Sequence, residues 1–375
     1  MDLDWLIFPS PDSSYTTEKT PNGEIIYIPK KIKKDKEHKK HNIDKDKTNK
    51  DYEKKDKETS KEDKENKENK ENKENKDKEK ENKEKENKAK ENKDKNIQDI
   101  DIEINDSEPK YQESKYETKH IPCFFLRSTS SSVCSKYALF YHGNAEDVNL
   151  AYEIINHIRF TLAVNVIAPE YPGYGIYPGR PNEETIFEDT IHVYDYLTET
   201  LGISPNNIII FGRSLGTSPS THLASKKHVS ALVLISPMLS IRTIVKDILG
   251  TLVSYSIRDR FRNGEMIPEV KCPILIIHGQ NDNLIKYYHS TELYNRAKSP
   301  CELVLPENMD HNEFDFFQEF SEPLLDFLSR NGIFANTQPC NNKLTSELLK
   351  VPEEFKRPYE QWNCLTTLLQ KFSIN

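Results

Sequence analysis

Residues 212–216 read Gly-Arg-Ser-Leu-Gly and carry the clearest chemical signal in this chain. An apolar run, residues 208–211, comes directly before them, and a segment compatible with a helix follows. A strand, a Gly-x-Ser-x-Gly turn and a helix together make a nucleophile elbow, whose strained turn lifts the serine hydroxyl above the sheet. Side chains at Gly212 and Gly216 would obstruct such a turn. We therefore predict that Ser214 is a nucleophile, and the alternative is a turn that matches the motif by chance.

A base and an acid must accompany this serine, because its hydroxyl is a weak nucleophile until a base takes the proton and an acid orients that base. Behind an elbow of this kind the chain order is serine, acid, histidine. His311 follows the last predicted strand and is the predicted base. His278 ends a strand and is predicted to be structural, and His289 is predicted to lie on the surface of a helix. The predicted acid is Asp282, and its rival is Asp310, which as the neighbour of His311 cannot easily reach the far ring nitrogen.

Acyl transfer at a serine also requires backbone N–H groups that face the negative charge of the tetrahedral intermediate. The N–H of Leu215, directly after the nucleophile, is the first predicted donor to this oxyanion hole. Asn144 is the second, because it lies in the loop that follows an early predicted strand, residues 137–141. His142 belongs to the same loop, and we predict that it braces the loop.

The elements that must position these residues are short apolar runs separated by helix-like segments. The later runs are continuously apolar, which is typical of parallel strands covered on both faces. The clearest helix is predicted for residues 181–201, with Asn182 as its N-cap. This alternation predicts an α/β fold with a mostly parallel, doubly wound sheet, helices on both faces and a hairpin of the first strands. The predicted strands are residues 25–28, 121–126, 137–141, 165–168, 207–211, 231–235, 273–277 and 302–305.

A long stretch, residues 30–96, differs sharply in composition from the rest of the chain. It contains 27 Lys against 21 Asp and Glu, so it carries +6 while the remainder of the chain carries −14. With almost no large apolar residue it cannot bury a core, and we predict disorder, with a single strained helix as the alternative. The predicted organisation is an N-terminal segment with the first strand (1–29), a disordered charged insertion (30–108), the α/β domain (109–335) and a tail (336–375). The end of the tail, from Trp362 to Leu369, is compatible with a short docked helix.

Charge and cysteine usage exclude several function classes. The acidic domain argues against nucleic acid as a partner, and the diluted basic excess of the insertion allows only weak or transient contact with a membrane surface. None of the six Cys forms a Cys-x-x-Cys pair, so we expect neither a zinc site nor another metal or cofactor. The chain has no apolar span of 18 residues and no secretory signal, and free thiols suit a reducing compartment. We expect a cytoplasmic monomer that meets membranes peripherally.

Residues 239–266 are rich in apolar side chains and follow the sixth predicted strand. Two interpretations stay open for this segment. Its apolar residues line an acyl channel, or they form the core-facing side of a helix. The residues concerned are Ile241, Ile244, Val245, Ile248, Leu249, Leu252 and Val253.

Several motifs stand together in an order and spacing that resemble one family. They are His142-Gly143-Asn144-Ala145, Glu170-Tyr171-Pro172-Gly173-Tyr174-Gly175, Gly179-Arg180-Pro181, Gly212-Arg213-Ser214-Leu215-Gly216, Ser236-Pro237, His278-Gly279-Gln280-Asn281-Asp282 and His311-Asn312. This set resembles the α/β-hydrolase domain-containing protein 17 family over residues 118–330, and Phe8-Pro9-Ser10-Pro11 resembles its N-terminal segment. Related esterases and serine aminopeptidase-type hydrolases share most of these motifs.

The resemblance implies an α/β-hydrolase fold and a serine hydrolase that removes palmitoyl groups from protein cysteines by thioester hydrolysis. It implies that Ser214, His311 and Asp282 form the triad. A lysophospholipase or small-ester carboxylesterase is the alternative enzyme, and a catalytically silent scaffold is the alternative of another class. The family anchors itself to membranes through acylated N-terminal cysteines, whereas residues 1–29 here contain no Cys.

Overall fold

The centre of the structure is a sheet of eight strands. The computed structural model describes residues 11–17, 23–33, 116–129, 136–334 and 344–356, and the sheet is built from these ranges. The strands are β1 (Glu24–Lys33), β2 (Tyr116–Leu126), β3 (Tyr137–Tyr141), β4 (Asn165–Pro169), β5 (Ile208–Arg213), β6 (Ala231–Ile235), β7 (Ile274–Ile277) and β8 (Cys301–Val304).

The strand order across the sheet is β1-β2-β4-β3-β5-β6-β7-β8. β1 pairs with β2 and β2 with β4 in antiparallel fashion, whereas every pair from β4 to β8 is parallel. The predicted fold is confirmed: this is the mostly parallel, doubly wound sheet of an α/β hydrolase, with its first strands antiparallel. The order places β5 at the centre of the sheet, between β3 and β6, so the loops that follow these three strands meet at one edge.

Both faces of the sheet are covered, which explains the continuously apolar later strands. Successive residues of β5 enter opposite cores: Ile208 and Ile210 pack in one cluster, and Ile209 and Phe211 in the other. All four side chains are fully buried. Because alternate residues of a strand point to opposite faces, a strand with a core on each side must be apolar at every position.

Helices cover both faces between the strands. The helix predicted for residues 181–201 begins at Glu183, and the side chain of Asn182 accepts the N–H of Thr185 as an N-cap. It continues beyond Asp195 as a π-helical turn, Tyr196–Thr200. The α-helices of the described ranges are α1 (Tyr152–Leu162), α2 (Glu183–Asp195), α3 (Thr217–Lys226), α4 (Ile241–Leu249), α5 (Thr251–Tyr255), α6 (Asn263–Met266), α7 (Tyr288–Arg296), α8 (Glu322–Arg330) and α9 (Glu353–Lys356).

Part of the predicted tail packs on the antiparallel side of the sheet. Phe355 of α9 is buried against Tyr27 of β1, with ring centroids 5.1 Å apart, and Glu354 accepts the backbone N–H of His120 in β2. The tail helix predicted around Trp362 lies outside the described residues, as does the charged insertion except for residues 30–33, which end β1. Within the described ranges, no helix combines the length and the hydrophobicity needed to cross a bilayer.

Candidate active site

The turn after β5 holds Ser214 in a strained backbone conformation. Its φ is +51°, in the left-handed region that residues with a side chain rarely adopt, and a 3-10 turn leads from it into α3. A side chain at Gly212 would collide with the backbone of Gly216, and one at Gly216 would collide with the carbonyl oxygen of Tyr141. The two glycines therefore let β5, the turn and β3 approach one another closely, as the elbow motif predicts.

Ser214, His311 and Asp282 form a continuous chain of hydrogen bonds. The distance from Ser214 Oγ to His311 Nε2 is 3.1 Å, and that from His311 Nδ1 to Asp282 Oδ2 is 2.7 Å. A carboxylate oxygen only accepts, so Nδ1 carries the proton and Nε2 is left free to accept from the serine hydroxyl. All three residues are buried, with Ser214 and His311 only 7% and 8% exposed. The structure thus brings together the three residues that the sequence assigns to the triad.

Asp282 is fixed by donors on both carboxylate oxygens. Oδ1 accepts the backbone N–H groups of Leu284 and Ile285, at 2.9 and 2.8 Å, while Oδ2 faces both His311 and His278. Burial alone would raise the pKa of Asp282, but the hydrogen bonds from His278 and His311 outweigh it and hold that pKa well below its ordinary value. Asp282 is therefore an anion across the neutral pH range.

His278 supports Asp282 and makes no hydrogen bond to Ser214. Its Nε2 lies 2.7 Å from the carbonyl oxygen of Ile285 and 3.1 Å from Asp282 Oδ2, and both atoms only accept, so Nε2 carries the proton. Its Nδ1 then accepts from the hydroxyl of Ser290 at 2.6 Å. This agrees with the structural role predicted for His278.

The two other candidates from the sequence lie elsewhere. Asp310 Oδ1 accepts the backbone N–H groups of Asn312 and Glu313, both at 2.7 Å, and so shapes the loop that carries His311. The surface position predicted for His289 is wrong, because its side chain is fully buried. His289 Nδ1 accepts the N–H of Leu239, and Nε2 donates to Asp247 of α4, so packing of α4 on α7 covers this ring.

The loop after β3 lies beside the elbow. The hypothetical side chain at Gly216 would meet the carbonyl oxygens of both Tyr141 and His142, which shows how closely the loop approaches the turn of Leu215. Leu215 is buried, and Asn144 is half-buried with its side-chain oxygen accepting the Tyr174 hydroxyl at 2.6 Å. The two residues predicted as oxyanion donors thus belong to adjacent loops at the same edge of the sheet.

A buried ion pair underlies this loop. His142 Nδ1 lies 2.9 Å from the carbonyl oxygen of Gly143, and Nε2 lies 2.8 Å from Glu170. Because a carbonyl oxygen and a carboxylate both accept, these two contacts favour the doubly protonated, cationic form of the ring. Burial alone would lower the pKa of His142, but the negative charge of Glu170 outweighs it and raises that pKa. His142 thus braces the loop, as predicted, and does so as half of an ion pair.

Glu170 and Tyr15 are parts of this site that the sequence reasoning did not assign. The second oxygen of Glu170 accepts the hydroxyl of Tyr15, at 2.9 Å, and the N–H of Val148. Ser14 donates to Asp147 through both its N–H and its hydroxyl, each at 2.7 Å. The position of Glu170, a carboxylate directly after a buried strand, was an available signal. No local pattern indicated the contact with residues 14 and 15.

The segment after β6 matches neither of its two interpretations, an acyl channel or the core-facing side of a helix, over its whole length. Ile241 is buried and Ile244 and Val245 pack partly against the core, so the first half of α4 faces inward. The second half of α4 and α5 expose large apolar side chains to solvent, with Leu252 88% exposed. The exposed residues are Ile248, Leu249, Leu252, Val253 and Tyr255.

The family model described as alpha/beta hydrolase fold matches residues 139–255, in agreement with this architecture. An esterase from Pyrococcus furiosus is 19% identical and superposes with a TM-score of 0.47, over 56% of this chain and 87% of that chain.

Relatives with higher identity carry a more specific name. Alpha/beta hydrolase domain-containing protein aho-3 from Caenorhabditis elegans is 34% identical over 205 residues, which are 54% of this chain and 61% of that protein. Alpha/beta hydrolase domain-containing protein 17C from Mus musculus is 32% identical over 55% of this chain and 63% of its own length, so the chain spans about three fifths of these two relatives. Alpha/beta hydrolase domain-containing protein 17B from Homo sapiens is 33% identical over 212 residues, 56% of this chain and 71% of that protein. With its fold and these identities, the chain belongs to the α/β-hydrolase domain-containing protein 17 family.

Proposed function

We propose that this protein is a serine hydrolase that cleaves acyl thioesters or esters through Ser214, His311 and Asp282. The observation that carries the proposal is the unbroken hydrogen-bond chain from Ser214 Oγ through the imidazole to Asp282, with the serine held at a φ of +51°. A serine, a base and an orienting acid in this arrangement are the components of covalent acyl transfer. A silent scaffold would have no need of backbone strain at Ser214.

In the first half of the proposed reaction, Ser214 Oγ attacks the acyl carbonyl carbon while its proton moves to His311 Nε2. The carbonyl oxygen becomes an oxyanion, which the backbone N–H groups of Leu215 and Asn144 stabilise. The intermediate then collapses: the bond from carbon to the leaving sulfur or oxygen breaks, and His311 returns the proton to the leaving group. Asp282, held as an anion by its low pKa, stabilises the imidazolium that forms on the way.

In the second half, a water molecule attacks the acyl-enzyme, and His311 Nε2 takes a proton from that water. The second tetrahedral intermediate collapses with cleavage of the bond from carbon to Ser214 Oγ. His311 then returns the proton to the serine, and the fatty acid leaves. The enzyme ends in its starting protonation state.

The favoured substrate is a lipid-modified protein, from which a palmitoyl thioester is cleaved. The family resemblance motivates this choice, and the exposed apolar side chains of α4 and α5 support it. The segment that carries them follows β6, which is parallel to β5, so it begins at the same edge of the sheet as Ser214. The alternative is a lysophospholipase or small-ester carboxylesterase. The proposed setting is the cytoplasm, with transient membrane contact by a monomer, and the free thiols of Cys123, Cys272 and Cys301 suit that compartment.

A fluorophosphonate probe tests the proposed chemistry before any substrate is known. The purified protein should react covalently with the probe, and Ser214→Ala should not react while it keeps the melting temperature of the wild type. An unlabelled wild type, or equal labelling of Ser214→Ala, would contradict the proposal. A panel then compares an S-palmitoyl cysteine peptide, a lysophospholipid and short p-nitrophenyl esters. Preference for the palmitoyl peptide supports the thioesterase, and preference for either other class supports the alternative.

A further inference from the structure

The guanidinium of Arg213, the residue directly before the nucleophile, connects two loops of the site. Its Nη1 donates to Glu146 at 3.1 Å, and its Nη2 donates to the carbonyl oxygen of His311 at 3.0 Å and to Asn312 Oδ1 at 2.8 Å. We propose that Arg213 is a positioning residue that holds the loop of the predicted oxyanion donor and the loop of the base in register with Ser214. This inference rests on the proposed serine hydrolase function.

The first arm of the bridge reaches the loop after β3. Glu146 Oε1 accepts from Arg213 and also from the backbone N–H of Gly143, at 2.5 Å. A side chain at Gly143 would lie 2.8 Å from Glu146 Oε1 and 3.2 Å from Arg213 Nη1, so the ion pair rests directly on the backbone of that glycine. Gly143 precedes Asn144, and the pair therefore fixes the backbone of the predicted second oxyanion donor.

The second arm reaches the backbone of the proposed base, whereas Asp282 contacts its ring. Asp282 orients the imidazole of His311, but the backbone of His311 lies in a loop, not in a strand or helix. Arg213 holds that backbone through the carbonyl oxygen of His311 and holds the next residue through the amide of Asn312. Because Arg213 is covalently next to Ser214, these contacts fix the backbone of the proposed base relative to the backbone of the proposed nucleophile.

The fork of an arginine is needed for this role. A planar guanidinium directs separate N–H groups at separate acceptors, whereas the ammonium of a lysine is a compact point charge. One lysine nitrogen does not reach the carboxylate of Glu146 and the carbonyl of His311 with the same geometry. Arg213→Lys keeps the charge and loses the bridge, so it separates these two contributions.

The expected effect of losing the bridge is on the chemical step. A displacement of the base or the donors of about 1 Å costs roughly 100-fold in rate, so kcat of Arg213→Met should fall roughly 10- to 100-fold. KM should change little, because Arg213 touches the catalytic loops and not a predicted acyl-binding surface. A purely structural role would lower the melting temperature and leave kcat of the folded fraction unchanged.

The test measures kcat, KM and melting temperature of wild type, Arg213→Met, Arg213→Lys and Glu146→Gln on a soluble ester. The matched control is Arg330→Met, because Arg330 also donates to two acceptors, Glu302 and Asp326, but lies on α8 away from the site. Arg213→Met combined with Glu146→Gln should lose no more than Arg213→Met alone, since both changes break one bridge. If Arg213→Met does not fold, Asn312→Ala removes part of the second arm alone, and its kcat should still fall at least threefold.

Several results would overturn the inference while the proposed function stands. Provided that the wild type is active, the first is a kcat of Arg213→Met within twofold of wild type. The second is full recovery of kcat by Arg213→Lys. The third is a loss of kcat in Arg330→Met as large as that in Arg213→Met. For the fallback variant, unchanged kcat in Asn312→Ala has the same meaning. Failure of the proposed function looks different, because the wild type itself then neither turns over esters nor reacts with the fluorophosphonate.

Discussion

Replacing Asp282 with Asn removes the acid of the proposed triad while the shape of the side chain is kept. The backbone N–H groups of Leu284 and Ile285 require an acceptor at the Oδ1 position, so they fix which way the new amide points. The amide NH2 group must then take the Oδ2 position and face His311 Nδ1. Two donors would oppose each other there, and His311 escapes by moving its proton to Nε2. Nε2 can then no longer accept the proton of the serine.

The loss expected from this tautomer change is large. Wrong-tautomer variants of serine triads lose about 10⁴ in kcat, which corresponds to about 5.4 kcal/mol of transition-state stabilisation. The matched control is Asp310→Asn. Asp310 Oδ1 accepts the N–H groups of Asn312 and Glu313, and an asparagine oxygen can accept both. Asp310→Asn should therefore keep kcat within about twofold of wild type.

The assay is initial-rate turnover of one thioester at neutral pH by both variants, with melting temperatures to verify folding. A large loss in Asp310→Asn together with a small loss in Asp282→Asn would refute the assignment. Stability gives an independent readout. Because the pKa of Asp282 is depressed from 3.8, its ionised form stabilises the fold above that pH, and this contribution disappears as pH falls towards the folded-state pKa. The stability difference between wild type and Asp282→Asn should therefore shrink below about pH 4.

Four further changes probe the rest of the site and the insertion. Ser214→Ala should lower kcat by about 10⁴ or more with an unchanged melting temperature, and retained esterase activity would exclude this serine. Gly216→Ala should reduce both folded yield and activity, since a methyl group there collides with the carbonyl oxygen of Tyr141, and a normal melting temperature would contradict the close approach. Glu170→Gln should lower the free energy of unfolding in urea by about 3 kcal/mol, because the buried His142 ring loses its counter-charge and must give up a proton that a hydrogen bond uses, and a change below about 1 kcal/mol would contradict the ion pair. Deleting residues 35–95 should leave melting temperature and soluble-ester turnover nearly unchanged, and loss of either would make the insertion structural.

The hydrogen-bonded arrangement of Ser214, His311 and Asp282 was predictable because its sequence signals are local. Ser214 lies in a five-residue motif after an apolar strand, and the chain order of the fold restricts the acid and the base to the ends of later strands. Asp282 and His311 occupy such positions, each in the loop after a strand. The choice of Asp282 over Asp310 also followed from the sequence, because a residue adjacent to the base approaches the ring from the wrong side.

What the sequence did not predict depends on contacts between distant segments. His289 resembles a surface residue of a short polar helix, but the backbone of Leu239 and the side chain of Asp247 cover it. Tyr15 contacts Glu170 across 155 positions of sequence. The solvent exposure of the apolar side chains of α4 and α5 was equally unpredictable, because an apolar face has the same periodicity whether a core or solvent lies beside it.

Two carboxylates lie at the loop of the predicted oxyanion hole, and each of them is paired with a cation. Glu146 and Glu170 each fix the backbone of this loop, by accepting the N–H groups of Gly143 and Val148, and a preorganised oxyanion hole needs a loop that is held in place. A carboxylate near a developing oxyanion nevertheless repels it, and this repulsion is strong where water is excluded. Arg213 neutralises Glu146, and the His142 cation neutralises Glu170. Each cation therefore allows a carboxylate to organise the loop without opposing the charge of the transition state. For this reason, we expect that removal of either cation lowers kcat more than removal of its carboxylate partner does.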